Sequence, residues 1–355
     1  MIQVQARTEP SILMTFASPF LAIVLTLIFG SLLFTALDKD PLQALHVLLI
    51  LPLSDAYNIS EMLVKMGPLL LCAVGLALCY RANMWNIGAE GQLLAGALGG
   101  STVALMFVDS NSAFAMPLTL LGGIVSGMAW AGIATFLKVK FNSNLILTTI
   151  MLNYIALYLL IWAVHGPLRD PEGFGFPESA LFSDATLLPV LSDSGRVHLG
   201  VVFAIVLALF AWFLLAKTHL GFKIRVYGAD EPAAIYAGYN AKAISWFVML
   251  FAGALAGLAG VSEVAGPIGQ LTPNVSPGYG YSAIIVAYLG RLHPAGAIVA
   301  AIFLAILYMG GDLAQIEMGI PIAVVGMFQG ILLFFLLACD FFIRYRIVPS
   351  REKMA

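Results

Sequence analysis

The chain has 355 residues, 61% of them hydrophobic and only 10% charged, with a formal net charge of −2 at pH 7. Its mean hydropathy of +0.96 lies far outside the range of a soluble domain. This composition excludes an ordinary cytosolic enzyme or a nucleic-acid binder with a basic face and predicts an all-α fold, a polytopic membrane helical bundle.

The first apolar run carries no charge between Ser11 and Leu37, enough to cross about 30 Å of hydrocarbon, and is expected to be an uncleaved span. Hydropathy places spans near 18–37, 62–80, 86–108, 115–138, 144–165, 198–216, 243–262, 294–311 and 321–342. A shorter run, 280–290, cannot cross alone and reads as a half-helix, a re-entrant segment or the end of a span begun earlier. The expected count is therefore nine or ten transmembrane helices. With ten crossings, thirteen of the 17 Lys and Arg residues fall on the side of the amino terminus, among them Arg7, Arg81, Lys138, Lys217, Arg291, Arg351 and Lys353. Lys39, Lys65, Arg169 and Arg196 fall on the other side. Cationic loops stay inside, so both termini and the loop 217–242 are expected in the cytoplasm, with the Pro-, Gly- and acid-rich loop 166–197, which includes Asp193, outside.

Several smaller features follow in chain order. The constellation Asn86-Ile87-Gly88-Ala89-Glu90-Gly91-Gln92 opens the third span; Asn86 can cap that helix and Glu90 lies in its first turn, where the helix dipole favours a carboxylate. It reads either as a helix entry whose polar groups satisfy one another and Arg81, or as a hinge in a translocation path. Asn153, in the middle of its span, is either an interhelical hydrogen bonder or a path-facing contact. Glycines four apart (Gly96 and Gly100, Gly123 and Gly127, Gly253 and Gly257, Gly326 and Gly330) predict close helix packing. Cys72, Cys79 and Cys339 lie in apolar runs and read as packing residues; the five histidines show no metal-ligand spacing. Ionisable groups are expected to be nearly absent from mid-span: Lys65, Glu90 and Asp340 are placed near span ends, and Glu263, Asp312 and Glu317 in outer loops. That scarcity argues against an ion-coupled secondary carrier, the main alternative, which needs a titratable group near the midplane. No paired polar groups at a common depth suggest an intramembrane enzyme, and no Walker phosphate loop is present, so any use of ATP must come from a partner.

The loop 217–242 is too polar and too structured for a simple chain reversal. Asp230 or Glu231 can cap a helix there, Pro232 suits its first turn, and Gly238 can end it. An exposed short helix between two spans is expected to be a docking surface.

These stretches, together with Thr148 to Tyr154, Gly228 to Gly238 and Leu289-Gly290-Arg291-Leu292-His293-Pro294, resemble the inner-membrane permeases of bacterial ABC importers. The resemblance is to the branched-chain amino acid and ribose/galactose/xylose group, closest to nucleoside and simple-sugar permeases, and it covers most of the chain. It implies one transmembrane permease domain over 1–355 in a multi-pass inner-membrane protein. It implies that Gly228, Asp230, Glu231, Ala233, Ala234 and Gly238 belong to a coupling helix seated in a cleft of the ATPase subunit. In that pattern Pro232 stands between Glu231 and the alanines, a departure from the commonest importer sequence. The resemblance also implies a second permease subunit, identical or related, an extracytoplasmic binding protein, and ATP-Mg held by the ATPase with no cofactor in this chain. Asn86, Glu90, Gln92 and Asn153 are the expected residues of the path. Nucleosides or simple sugars are the expected cargo, branched-chain amino acids the alternative, with Trp85, Tyr154 and Trp162 available to stack on a base.

Overall fold

The structure is a computed structural model that describes residues 2–6, 12–108, 110, 112–173, 175–192, 195–321 and 323–349. Arg7, Asp193, Arg351 and Lys353, which entered the charge and loop readings, lie outside the described residues. In order, the elements are β1 (Ile2–Ala6), α1 (Ile12–Ala36), α2 (Pro41–Leu49), α3 (Ala56–Arg81), α4 (Ala89–Leu105), α5 (Ala115–Phe141), α6 (Leu145–His165) and α7 (Leu199–Lys217). There follow α8 (His219–Ala229), α9 (Glu231–Tyr236), α10 (Ala241–Glu263), α11 (Tyr279–Leu289), α12 (Pro294–Met318), α13 (Ala323–Arg344) and β2 (Tyr345–Pro349). Eight of these helices are long and apolar enough to cross a membrane. In lipid, every backbone N–H and C=O must be paired within the segment, which is why such runs can only be helical.

Side chains at the ends set the boundaries. Asp55 caps α3 through Asn58 N–H at 2.8 Å, Asn144 caps α6 through Leu147 N–H at 3.3 Å, and Asn240 caps α10 through Ala243 N–H at 3.1 Å. Each satisfies one of the backbone donors left open at a helix start.

The chain divides into two compact units, residues 1–54 with 307–355, and residues 55–306. In the first, α1 packs antiparallel to α13, with Phe34 stacked on Phe328 at 5.2 Å between centroids and Ser18 Oγ donating to Asp340 Oδ1 at 2.6 Å. Lys39 Nζ donates to the Met318 carbonyl at 2.7 Å. β1 and β2 pair antiparallel, from Ile2 opposite Pro349 to Ala6 opposite Tyr345.

In the second unit α10 is the centre, packed on α3, α4 and α5. Three of the glycine pairs meet here. A Cβ on Gly96 would overlap the Gly257 backbone, and one on Gly127 would overlap the backbones of Gly253 and Gly257. Backbone-to-backbone approach replaces the hydrophobic force that lipid cannot supply. The fourth pair differs: a Cβ on Gly326 or Gly330 would meet no atom of another element within 4 Å among the described residues.

The charged residues depart from expectation. Glu263 is not in a loop but ends α10, buried, where the chain continues as a π-helical turn over Val264–Ile268. Asp312 and Glu317 lie within α12, which runs to Met318. Glu61 on α3 is buried and held by Arg196, whose Nε donates to Oε1 at 3.0 Å. The hydropathy window closed at each carboxylate, whereas the helices run on: Arg196 pairs with Glu61, and Glu263 is buried with its Oε1 unpaired among the described residues.

At the same end of this unit, His198 caps α7, its Nδ1 accepting from Gly200 N–H at 3.2 Å. Burial, aided by Arg196, lowers its pKa to about 4. The unfolded value is about 6.5, so this histidine's share of stability is full above that pH and is lost as the pH falls towards 4, about 3 kcal/mol in all. We expect His198→Asn, which keeps a capping oxygen, to remove that fraction of the acid sensitivity when melting temperature is followed from pH 7 to pH 4. An unchanged pH profile would contradict it.

Candidate functional site

Two places concentrate the polar residues singled out by sequence. The first is the segment between α7 and α10. Thr218 caps α8 through Gly221 N–H at 3.1 Å, and Arg225 Nη1 donates to the Leu215 carbonyl, tying α8 to the end of α7. Gly228 permits a close approach: a Cβ there would overlap the Arg81 carbonyl, so α8 lies directly on the end of α3. Asp230 caps α9, its Oδ1 accepting from Ala233 N–H at 3.2 Å, with Pro232 in the first turn. Gly238 takes φ +83°, a left-handed conformation that ends the helix and that residues with a side chain rarely adopt. The cap, proline and glycine stand where the sequence put them. Ala234 is buried while Ala233 is exposed, so α9 rests on the protein by one side. Its outer side presents Ile235 and Tyr236, the latter 96% exposed. Glu231 reaches the Tyr227 phenol, which also pairs with Ser245 Oγ at 3.1 Å. Burial, together with the Glu231 charge, pushes that phenol above its ordinary value.

The second place is a break in the bundle. From the end of α3 the chain turns at Asn83 (φ +55°) and runs back as non-helical backbone before α4 begins at Ala89. Gly88, not Asn86, is the cap residue of α4. Asn86 acts two residues earlier, its Oδ1 accepting from Gly88 N–H at 2.8 Å, so it closes a turn instead of a helix. Tyr80 donates its hydroxyl proton to the Asn86 carbonyl at 2.9 Å. Tyr80 also packs against Trp85 and Tyr288, both at 5.6 Å between centroids. Arg81 is not part of this network; its Nε donates to the Leu292 carbonyl at 2.7 Å.

Asn153 on α6 secures the break from the side. Its Oδ1 accepts from Gly91 N–H at 2.8 Å, and its Nδ2 donates to the Ile87 carbonyl at 2.9 Å and to the Tyr281 hydroxyl oxygen at 3.3 Å. Thr149, one turn earlier, accepts from Ile87 N–H at 3.2 Å. Gln92 and Asn86 face each other amide to amide at 3.4 Å. Glu90 Oε2 accepts from Gly280 N–H at 2.7 Å, and the carboxylate also takes hydrogen bonds from Ser276 Oγ and Tyr281 N–H. Gly280 is the second residue of α11, and a Cβ there would overlap the backbone of Glu90. Two helix N-termini therefore converge on one carboxylate, an arrangement their dipoles favour.

The depth of this junction corrects the sequence reading. α11 has 11 residues, and at ~1.5 Å per residue its first turn lies roughly 15 Å from its Gly290 end, about half the hydrocarbon thickness. Gly91 N–H is held by Asn153, the ninth of the 21 residues of α6, so the neighbouring Glu90 lies level with the middle of that helix, not at a span end. All four expected path residues, Asn86, Glu90, Gln92 and Asn153, are brought together here and all are buried. Sequence reasoning missed Ser276, Gly280 and Tyr281, for which the short run 280–290 was the nearest signal, and gave no role of its own to Thr149 within the stretch Thr148 to Tyr154. Trp85 belongs to the aromatic cluster at the break, and Tyr154 and Trp162 are exposed on α6.

The family model described as "Branched-chain amino acid transport system / permease component" matches residues 58–337, which contain both places. The chain belongs to this permease family. It is 35% identical over 351 residues to the glucose ABC transporter permease protein TsgB13 of Haloferax volcanii, covering 96% of this chain and 92% of that one. Identity to the guanosine ABC transporter permease protein NupP of Bacillus subtilis is 30%, covering 95% and 97% of the two chains. Identity to the nucleoside ABC transporter permease protein NupB of Lactococcus lactis is also 30%, covering 90% and 89%. As a member of this permease family the protein is a multi-pass membrane subunit of an ABC importer, and its long apolar helices are its spans.

Proposed function

We propose that this permease carries a nucleoside or simple sugar across the bacterial inner membrane, and that α9 is the helix through which a partner ATPase drives it. The observation that carries the coupling role is the geometry of α9. A six-residue helix, held by Asp230 at one end and Gly238 at the other, offers Ile235 and Tyr236 to a partner while Ala234 anchors it. The relatives that match nearly the full chain are named for glucose, guanosine and nucleosides, which supports that cargo over branched-chain amino acids. On this reading the side carrying α8 and α9 is cytoplasmic, and the loop 166–197 meets a substrate-binding protein outside. ATP-Mg is bound and hydrolysed by the ATPase, this chain being non-catalytic. A second permease subunit completes the path. Asn86, Glu90, Gln92 and Asn153 hold its mid-depth break.

The test is Gly238→Val in the assembled complex. A β-branched residue resists φ near +83°, at a cost of about 1–3 kcal/mol in the loop alone. ATP-driven uptake of labelled guanosine or glucose is expected to fall at least severalfold while permease and ATPase still copurify. Full uptake by the variant would remove the coupling assignment.

A further inference from the structure

Tyr154 has no role in the packing described so far, and the Tyr281 ring enters it only through the hydrogen bond that its hydroxyl accepts from Asn153. Tyr154 is the tenth of the 21 residues of α6, and Tyr281 is the third of the 11 in α11. Both therefore sit near mid-depth beside the break. Tyr154 is 52% exposed and Tyr281 42% exposed, and the two are close enough to interact electrostatically. Tyrosine ordinarily gathers at the membrane surface, where its hydroxyl is wet. At mid-depth a phenol turned towards hydrocarbon loses its hydrogen bonds to water, at a cost of about 2–7 kcal/mol. Two phenols at this depth, on the neighbouring helices α6 and α11, point to a polar environment on this face.

The hydroxyl of Tyr281 is also oriented. Its oxygen accepts from Asn153 Nδ2, and Asn153 is itself fixed by Gly91 N–H and the Ile87 carbonyl. The Tyr281 proton is thus left to donate outward, from a group whose position is set by α4, α6 and α11 together. A flat aromatic face beside an aimed hydroxyl donor suits a ring that bears hydroxyl groups, the feature shared by a sugar and the ribose of a nucleoside.

We propose that Tyr154 and Tyr281, backed by Asn153, form the mid-membrane contact for the hydroxylated ring of the transported solute. This rests on the cargo reading above and names the residues that would read it. The solute stacks on the Tyr154 ring and accepts from the Tyr281 hydroxyl, while Glu90 stays behind them, engaged with the start of α11.

The experiment uses the assembled complex in proteoliposomes, with Tyr154→Cys and Tyr281→Cys treated with a charged, membrane-impermeant thiol reagent. The native Cys72, Cys79 and Cys339 are buried, so the unmodified complex supplies the background. Phe210→Cys, on the half-exposed apolar face of α7, serves as the lipid-facing control. Both tyrosine positions are expected to react, Phe210→Cys is not, and saturating guanosine or glucose is expected to slow the reaction severalfold. Tyr281→Phe, which keeps the ring, is expected to raise the apparent KM for uptake about tenfold, the loss of one well-placed hydrogen bond.

Reaction no faster than at Phe210→Cys, meaning that lipid or the second subunit covers the face, overturns the proposal, as does labelling indifferent to solute. If either result is found while the unmodified complex still takes up guanosine or glucose with ATP, only this proposal fails. If the unmodified complex takes up neither solute, the cargo reading fails with it.

Discussion

Gly257→Leu is expected to eliminate folded permease. Gly257 lies where α10 crosses α4 and α5: a Cβ there would overlap the Gly123 carbonyl and stand 3.0 Å from the Gly127 Cα. Those obstacles are backbone and cannot rotate aside as a flexible side chain could. Overpacking a core costs about 1–3 kcal/mol even where side chains relax, and here a whole isobutyl group would separate three helices. Gly257→Ala is expected to fold with a melting temperature several degrees lower, because one methyl requires a smaller shift. Gly330→Leu is the internal comparison, since a Cβ there would meet no atom of another element within 4 Å among the described residues; its yield and melting are expected to match the unmodified chain. The measurement is the monodisperse fraction after detergent extraction, together with a thermal melt. Wild-type behaviour of Gly257→Leu would mean that the three helices do not cross as described.

The second large effect is expected at Glu90. Removing its carboxylate in Glu90→Ala leaves buried donors at the start of α11 without an acceptor, beginning with Gly280 N–H. Each unpaired buried donor costs about 1–3 kcal/mol, enough to release the junction of α4 with α11. ATP-driven uptake is expected to fall by about tenfold or more, a free-energy change of at least ~1.4 kcal/mol. Glu90→Gln keeps one carbonyl oxygen for Gly280 N–H and is expected to retain much of the uptake. Cys72 offers a local reporter, being buried on α3 within electrostatic reach of Glu90. Its alkylation by a small maleimide is expected to quicken in Glu90→Ala and not in Glu90→Gln. Equal uptake and equal Cys72 reactivity in all three proteins would show that the carboxylate holds nothing.

The legibility of these two regions in the sequence differed for a physical reason. α9 could be read residue by residue because its determinants are local: Asp230 accepts from a backbone N–H three residues on, Pro232 fixes one φ, and Gly238 takes a conformation that favours glycine. The long spans were legible for a similar reason, since an apolar run in lipid has only the helix open to it. The break was not legible. Asn86 was read as a helix cap because its spacing to the apolar run allows one. Whether the chain turns outward or back into the bundle after Asn83 depends on Tyr80, Thr149 and Asn153, which lie on α3 and α6. The depth of Glu90 went astray with it, and so did the inference that mid-depth ionisable groups are nearly absent. The case against an ion-coupled carrier consequently rests elsewhere: the Glu90 carboxylate is occupied by three donors of this chain, and the chain belongs to an ABC permease family. Glu263 was misplaced because the apolar run was closed at residue 262, whereas the helix includes Glu263 and continues as a π-helical turn over Val264–Ile268. The glycine pairs were read correctly as packing devices, but only three-dimensional contact separates those that meet a partner backbone from Gly326 and Gly330, which do not.

The central claim is that this permease moves its solute only when a partner ATPase drives it. The most direct measurement is uptake of labelled guanosine and glucose into proteoliposomes holding this chain, its second permease subunit and its binding protein, with and without the ATPase and ATP. Uptake that requires both ATPase and ATP, and that persists when ion gradients are collapsed, is the predicted result. Accumulation by this chain alone, driven by an imposed proton or sodium gradient and indifferent to ATP, would contradict the account.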